Sequence, residues 1–310
     1  MIQYIFKRIL QGIPVIIGVL TISFFLMNIA PGDPVRAMVC DYYSDDELVS
    51  MRKNLGLDQP LYKQYFDFMS RIISGNLGNS FMSNRPVSDD ILEKIPFTLQ
   101  LAMGAMCIAI PMGVILGIIA AMNRGKWIDR FLVVISLSGI AAPVFWIALL
   151  LILIVGIQLQ WLPPTGFGGL KFLILPSIAL GTRSLALLAR TTRAYMLEVL
   201  KEDYIRTAVA KGVSTKNIIL KHALRNVLIP LITIIATDFG SYLSGAVLTE
   251  SIFGWPGVGR FALNAIMKRD FPAIQGTVLF MAILFVVINI VVDILYAWTD
   301  PRIRESVIDE

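Results

Sequence analysis

"EDYIRTAVAKGVSTKNIILKHALRNVLIP", residues 202–230, lies in a chain that is otherwise largely apolar. It carries Arg206, Lys211, Lys216, Lys221 and Arg225 against two acids, Glu202 and Asp203. Those acids stand where negative charge favours the start of a helix. A helix opening there must end or turn near Gly212. "VSTKNIILKHALRN" then resumes helical periodicity, with Ile218, Ile219 and Leu224 on one side. The stretch therefore reads as helix, glycine turn, helix. It is too long and too patterned to be a plain connection, so the segments that flank it decide what it is for.

The chain has 310 residues, is 56% hydrophobic with a mean hydropathy of +0.72, and is only 16% charged. Soluble domains carry about 25% charged residues. The apolar excess is gathered into charge-free runs long enough to cross a hydrocarbon core about 30 Å thick, which takes about 20 helical residues. A net charge of +5 is then the ordinary surplus of Lys and Arg in cytoplasmic loops, and it does not argue for nucleic acid. Cys40 falls in a loop and Cys107 in an apolar run, which argues against their pairing, and neither has metal-ligand company. His222, the single histidine, builds no metal site or relay alone.

Six spans follow from the charge-free runs. The first, residues 9–30, follows Lys7 and Arg8; it is too long for a signal peptide and lacks a cleavage site. The others fall at about 96–122, 131–157, 172–190 (with Arg183 inside), 227–249 (with Asp238 inside) and 274–297. Residues 31–94 form a small amphipathic subdomain. Within it Pro60 opens a short helix with Leu61, Tyr65, Phe68 and Ile72 on one face, and Gly75 and Gly78 end it. The short basic turn "NRGKWIDR" and the eight Lys and Arg from Arg190 through Arg225 share one side with both termini. Short loops decide orientation, so that side is the cytoplasm, and residues 202–230 face it.

Several separated motifs resemble one family. "FFLMNIAPGDPV", "LGLDQPLYKQY", "GNLGNSF", "RPVSDDI", "EDYIRTAVAKG" with "HALRNVLIP", "TESIFGWPGVGR", "RDFPAIQG" and "VVDILYAWTDPRIR" are similar, in order, to the ATP-binding-cassette importer permeases of the dipeptide, oligopeptide and nickel branch, first-permease type. In those permeases a cytoplasmic loop patterned Glu-Ala-Ala, three residues, then Gly inserts into a groove on the ATPase. Arg206, Thr207, Ala208 and Gly212 occupy the matching positions, and the family's acid is missing. The resemblance implies an all-α, six-helix type I importer fold with both termini inside. Residues 1–94 hold the first helix and outer subdomain, 95–298 the permease domain with its coupling loop at about 191–226, and 299–310 a cytoplasmic tail. It also implies a second permease, two ATP-binding subunits, an extracytoplasmic substrate-binding protein and a bacterial or archaeal cytoplasmic membrane.

No G-x-x-x-x-G-K-[ST] occurs, so ATP and magnesium are expected in the partner ATPase, with no cofactor and no catalysis on this chain. Glu202, Asp203, Tyr204, Arg206, Thr207, Ala208 and Gly212 are the coupling candidates. Arg183, Asp238, Glu250 and Trp255 are the pathway or gate candidates. Asp238 is costly at membrane depth, so it either meets a charged substrate or the partner permease, or it pairs structurally with Arg183. Glu250 faces a choice between a gate and a plain loop ion pair with Arg260. The glycines of "GWPGVG" make a loop turn; no strand precedes them, so they are no nucleotide site. A peptide is the leading substrate, a nickel chelate the alternative within the class, and a self-sufficient secondary transporter the alternative outside it.

Overall fold

The computed structural model describes residues 2–29, 58–243 and 246–299. Cys40, the "APGDPV" and "LGL" motif residues and the tail from 300 onward lie outside the described residues. Among those described, the chain is helices joined by short turns, with one isolated antiparallel bridge between Asn79 and Pro86.

In chain order the helices are α1 (Ile2–Ile29), α2 (Leu61–Ile73), α3 (Val87–Met122), α4 (Trp127–Ala141) and α5 (Val144–Leu151), the last running on as a π-helical stretch, Ile152–Gln158. Then come α6 (Leu170–Val199) and α7 (Asp203–Ala210). Next, α8 (Thr215–Asn217) passes through a π-helical stretch, Ile218–Ala223, into α9 (Leu224–Leu243). The chain closes with α10 (Val247–Phe253), α11 (Val258–Met267) and α12 (Phe271–Thr299). Among the described residues four helices are long and apolar enough to cross a membrane, and two bent pairs bring the number to six.

Two expected spans take a less regular form. The one at 131–157 is made of α4 and α5, which meet at 106°. Pro143 denies the ladder an N–H and pushes Ala142 out of the helical region, to ψ 130°. In the span expected at 227–249, α9 is described to Leu243, and residues from Val247 on, with Glu250, belong to the short helix α10. The stretch Thr215–Leu228 meets Pro230–Leu243 at 54°, a bend within α9 where Pro230 enters.

The centre of the fold is the contact between α3 and α6. Without a hydrophobic drive between helices in lipid, association rests on close backbone approach through small residues. Gly113 and Gly117 of α3 are four apart and lie on one face. A Cβ on Gly113 would meet the Leu188 Cβ at 2.8 Å, and one on Gly117 would meet the Thr192 Cβ at 2.5 Å. Gly181 answers from α6, where a Cβ would meet the Ala105 carbonyl oxygen at 2.9 Å.

The amphipathic helix α2 packs against α1. Phe68 is buried with Leu20 and Phe24, Tyr65 and Ile72 are partly covered, and the Tyr65 hydroxyl lies 2.8 Å from Thr21 Oγ1. Leu61, expected on that face, is exposed in the first turn of α2. Gly75 ends the segment at φ +79°.

Gly117→Val forces methyl groups into the α6 backbone and is expected to lower stability by about 1–3 kcal/mol, the usual cost of overpacking. Gly18→Val is the control, since nothing lies within 4 Å of its Cβ position. Thermal unfolding of the purified protein in detergent compares the two.

Candidate functional site

The candidate residues sort into three layers: the loop of α7, the middle of α6 and α9, and a knot joining α3, α10 and α11.

Helix α7 is short, and tertiary contacts hold it. Ile205 and Ala208 are buried in a cluster with Val114 and Ala121 of α3, Leu188 and Met196 of α6, and Ile218, Ala223, Val227 and Leu231 of the helix that follows. The helix ends in a Schellman turn. Gly212 N donates to the Val209 oxygen at 2.9 Å and Val213 N to the Ala208 oxygen at 3.1 Å, with Gly212 at φ +75°. Val213 packs back on the same cluster. Tyr204, 41% exposed, accepts a hydrogen bond of 2.6 Å from Asn226 Nδ2, which ties the loop to the base of α9.

Glu202, Asp203, Arg206, Thr207 and Gly212 are exposed. Arg206 and Asp203 form a fully solvated pair at 3.3 Å, and Thr207 Oγ1 donates to the Asp203 carbonyl at 2.9 Å. Of the coupling candidates, then, Ala208 anchors the loop and the others form its outer surface.

A partly buried ion pair escaped the sequence reading. Arg193 of α6 grips Asp129 of α4 with two bonds, Nε to Oδ1 at 2.5 Å and Nη2 to Oδ2 at 2.8 Å. The N–H of Gly125 adds a third bond to the carboxylate at 2.9 Å. The fork geometry suits Arg alone. The signal was a lone acid in the basic turn "NRGKWIDR".

In the middle layer the Arg183–Asp238 pair, one of the two alternatives for Asp238, does not form. Ser184 donates to Asp238, and the Tyr242 hydroxyl lies 2.5 Å from Ser184 Oγ and 3.0 Å from the Leu180 carbonyl oxygen. One residue of helix turns the side chain by about 100°. Ser184 therefore faces α9 while Arg183 points to the outside of the chain, where it is exposed.

Glu250 and Trp255 form the third layer, both buried within the chain. The Glu250 carboxylate sits at the N-terminus of α11, accepting from Arg260 N at 2.9 Å and from Thr98 Oγ1 at 2.7 Å. Thr98 in turn accepts from Val258 N at 2.9 Å. Gly257 is required here, since a Cβ would collide with that carboxylate. The Arg260 guanidinium does not pair with Glu250 as expected. It bonds the Gly254 carbonyl at 2.5 Å, because the helix end supplies the favourable charge to the carboxylate. Trp255 Nε1 donates to the Phe97 carbonyl at 2.8 Å, and Phe167 packs edge-on against both rings.

Two measurements test this geometry. Arg193→Ala leaves Asp129 buried without its partner and is expected to cost about 2–3 kcal/mol, below the range for a fully buried pair because Arg193 is partly solvated. The double change with Asp129→Ala recovers part of that loss in the same melting assay. For Glu250, outside the spans, burial holds the carboxyl above the ordinary glutamate value, against the bonds from Arg260, Thr98 and Gly259. The native state thus binds that proton more tightly than the unfolded chain. Its contribution to stability is largest at low pH and declines as pH climbs from the ordinary value through the raised one. Glu250→Gln is expected to flatten the pH dependence of Tm in that window.

Comparison with known proteins places these features in a family. Residues 113–305 match the model described as binding-protein-dependent transport system inner membrane component, and residues 1–102 match that of the N-terminal part of such components. A Pseudomonas aeruginosa protein named di/tripeptide transport system permease protein DppB is 40% identical, covering 99% of this chain and 100% of its own length. The Escherichia coli K12 glutathione transport system permease protein GsiC is 42% identical, over 98% of this chain and 99% of its own. In fold, the chain is similar to a chain of the inward-facing MetNI methionine ABC transporter, with a TM-score of 0.53 at 15% identity, covering 69% of this chain and 95% of that one. A multi-pass chain matched along nearly its whole length in this way belongs to the binding-protein-dependent transport system inner membrane component family, a family of ABC transporter permeases.

Proposed function

We propose that this permease forms half of the translocation path of an ATP-driven importer for peptides, glutathione included, and that residues 198–222 couple it to an ATPase. The assembly contains a second permease, two ATP-binding subunits and an extracytoplasmic binding protein that delivers substrate to the outer mouth. ATP and magnesium belong to the ATP-binding subunits, and this chain binds and gates without covalent chemistry. Residues 1–94 carry the first helix and outer subdomain, 95–298 the permease domain and 299–310 the cytoplasmic tail. The names of the two relatives speak of di/tripeptides and glutathione, which supports a peptide and does not favour nickel. Membership of the family sets aside a self-sufficient secondary transporter.

The observation that carries the coupling is the two-sidedness of α7. Its inner face is fixed to three long helices through Ile205 and Ala208, while Glu202, Asp203, Tyr204, Arg206 and Thr207 lie on the outside. A load applied to that outer surface is passed to α3, α6 and α9 together. Coupling of this kind is read from a two-state response that both ends bias.

Gly212→Val tests it. The residue stands at φ +75° with open space around it, so the cost is in the backbone turn and falls on the loop alone. With the assembled transporter in lipid vesicles, the expected result is membrane insertion unchanged and uptake per ATP reduced. Unchanged uptake per ATP defeats the coupling assignment. Hydrolysis indifferent to binding protein loaded with dipeptide, longer peptide or glutathione defeats the peptide reading.

A further inference from the structure

We propose that Arg183 and Asp238 are the charged contacts of a peptide inside the membrane path, Arg183 receiving its C-terminal carboxylate and Asp238 its N-terminal ammonium. This rests on the peptide reading above.

Arg183 is the fourteenth residue of the thirty in α6. At 1.5 Å per residue it lies roughly 20 Å from either end, at the depth of the hydrocarbon. Its side chain is exposed on the chain and meets no hydrogen-bonding or ionic partner among the described residues. A guanidinium at that depth cannot face lipid, so this side of α6 faces water or another protein. The face of α6 built for tight helix packing is a different one, where Leu188, Ala189 and Thr192 meet the glycines of α3.

Asp238 stands on the neighbouring helix. One carboxylate oxygen, Oδ2, accepts a hydrogen bond from the Ser184 hydroxyl, and Oδ1 has no partner among the described residues. Asp238 bonds Ser184, the residue that follows Arg183, so the two charges share one neighbourhood. Yet no ion pair joins them, although two helices in contact carry them. On α9, Thr233, Thr237 and Ser241 recur every fourth residue beside Asp238, with Thr237 and Ser241 exposed. That is a polar seam along an otherwise apolar helix.

Two opposite charges, held close and left unpaired on a wettable seam, suit a ligand that brings both charges itself. A peptide zwitterion does so whatever its side chains are. Recognition through the termini leaves the side chains unread, as a path serving many sequences requires. Pairing with the ligand also offsets the cost of holding each charge at that depth.

The test uses the complete assembly in lipid vesicles, with binding protein saturated by each of three dipeptides: free, C-terminally amidated and N-acetylated. Each variant is compared with wild type on the same peptide. Arg183→Gln is expected to lower uptake of the free and N-acetylated peptides at least about tenfold, one ordinary charge contact, and to leave the amidated one unchanged. Arg183→Lys restores part of the loss. Asp238→Asn is expected to lower the free and amidated peptides and spare the N-acetylated one. Both variants retain ATP hydrolysis stimulated by loaded binding protein, which reports intact assembly.

Equal losses on all three peptides, no loss at all, or failure to co-purify with the second permease each overturn the site. The last outcome would make the charges an interface between permeases. A wild-type assembly that moves none of the peptides overturns the peptide reading first, and the site with it.

Discussion

The approach of α3 to α6 at the distance that only glycine permits sets the position of everything else. Gly113, Gly117 and Gly181 bring two long backbones into contact, and α6 then presents a different residue to each neighbour along its length. Ser184 meets α9, Leu188 and Met196 meet the cluster under α7, and Arg193 meets the start of α4. A long helix held this tightly behaves as a spine. Its rotation would carry the loop cluster, the middle charges and the Asp129 grip together, which is the kind of element an alternating permease needs.

The polar layers differ in how completely the chain satisfies them. The knot around Glu250 and Trp255 is closed, with donors from α3, α10 and α11. The Asp129–Arg193 pair is closed as well. Neither asks for anything from outside. Arg183 and the free oxygen of Asp238 do, and so does the outer surface of α7. Of the charged groups described, those left open therefore sit on the middle of α6 and α9 and on the loop of α7, while the satisfied ones brace the bundle.

The sequence made the spans legible because hydrocarbon thickness imposes a length on every charge-free run. It made the loop legible because Gly212 after Arg206-Thr207-Ala208 marks a helix stop that the backbone then adopts. The bend at Pro143 was written there too, in a residue that the hydropathy of 131–157 outweighed. What could not be read was pairing across the fold. Asp238 and Arg183 sit on adjoining helices, as supposed, but helical phase gives the contact to Ser184. Asp129 showed itself only as a lone acid in a basic turn, and nothing local pointed to Arg193, 64 residues onward, as its partner. Glu250 looked like half of a surface ion pair, whereas a helix end 8 residues onward supplies its positive charge.

The π-helical stretch Ile218–Ala223 has a consequence for how this family can change. Such a turn holds one residue more than an α-helix needs to cover the same rise. That surplus residue separates the loop's base from the bundle, at the point where α8 feeds α9. Losing it in evolution need not shorten the protein's reach. The ladder could close into regular α-helix, and everything before it would swing about the axis by a single residue's step. Length variation at this place would thus re-aim the loop toward a differently shaped partner without disturbing the membrane bundle behind it.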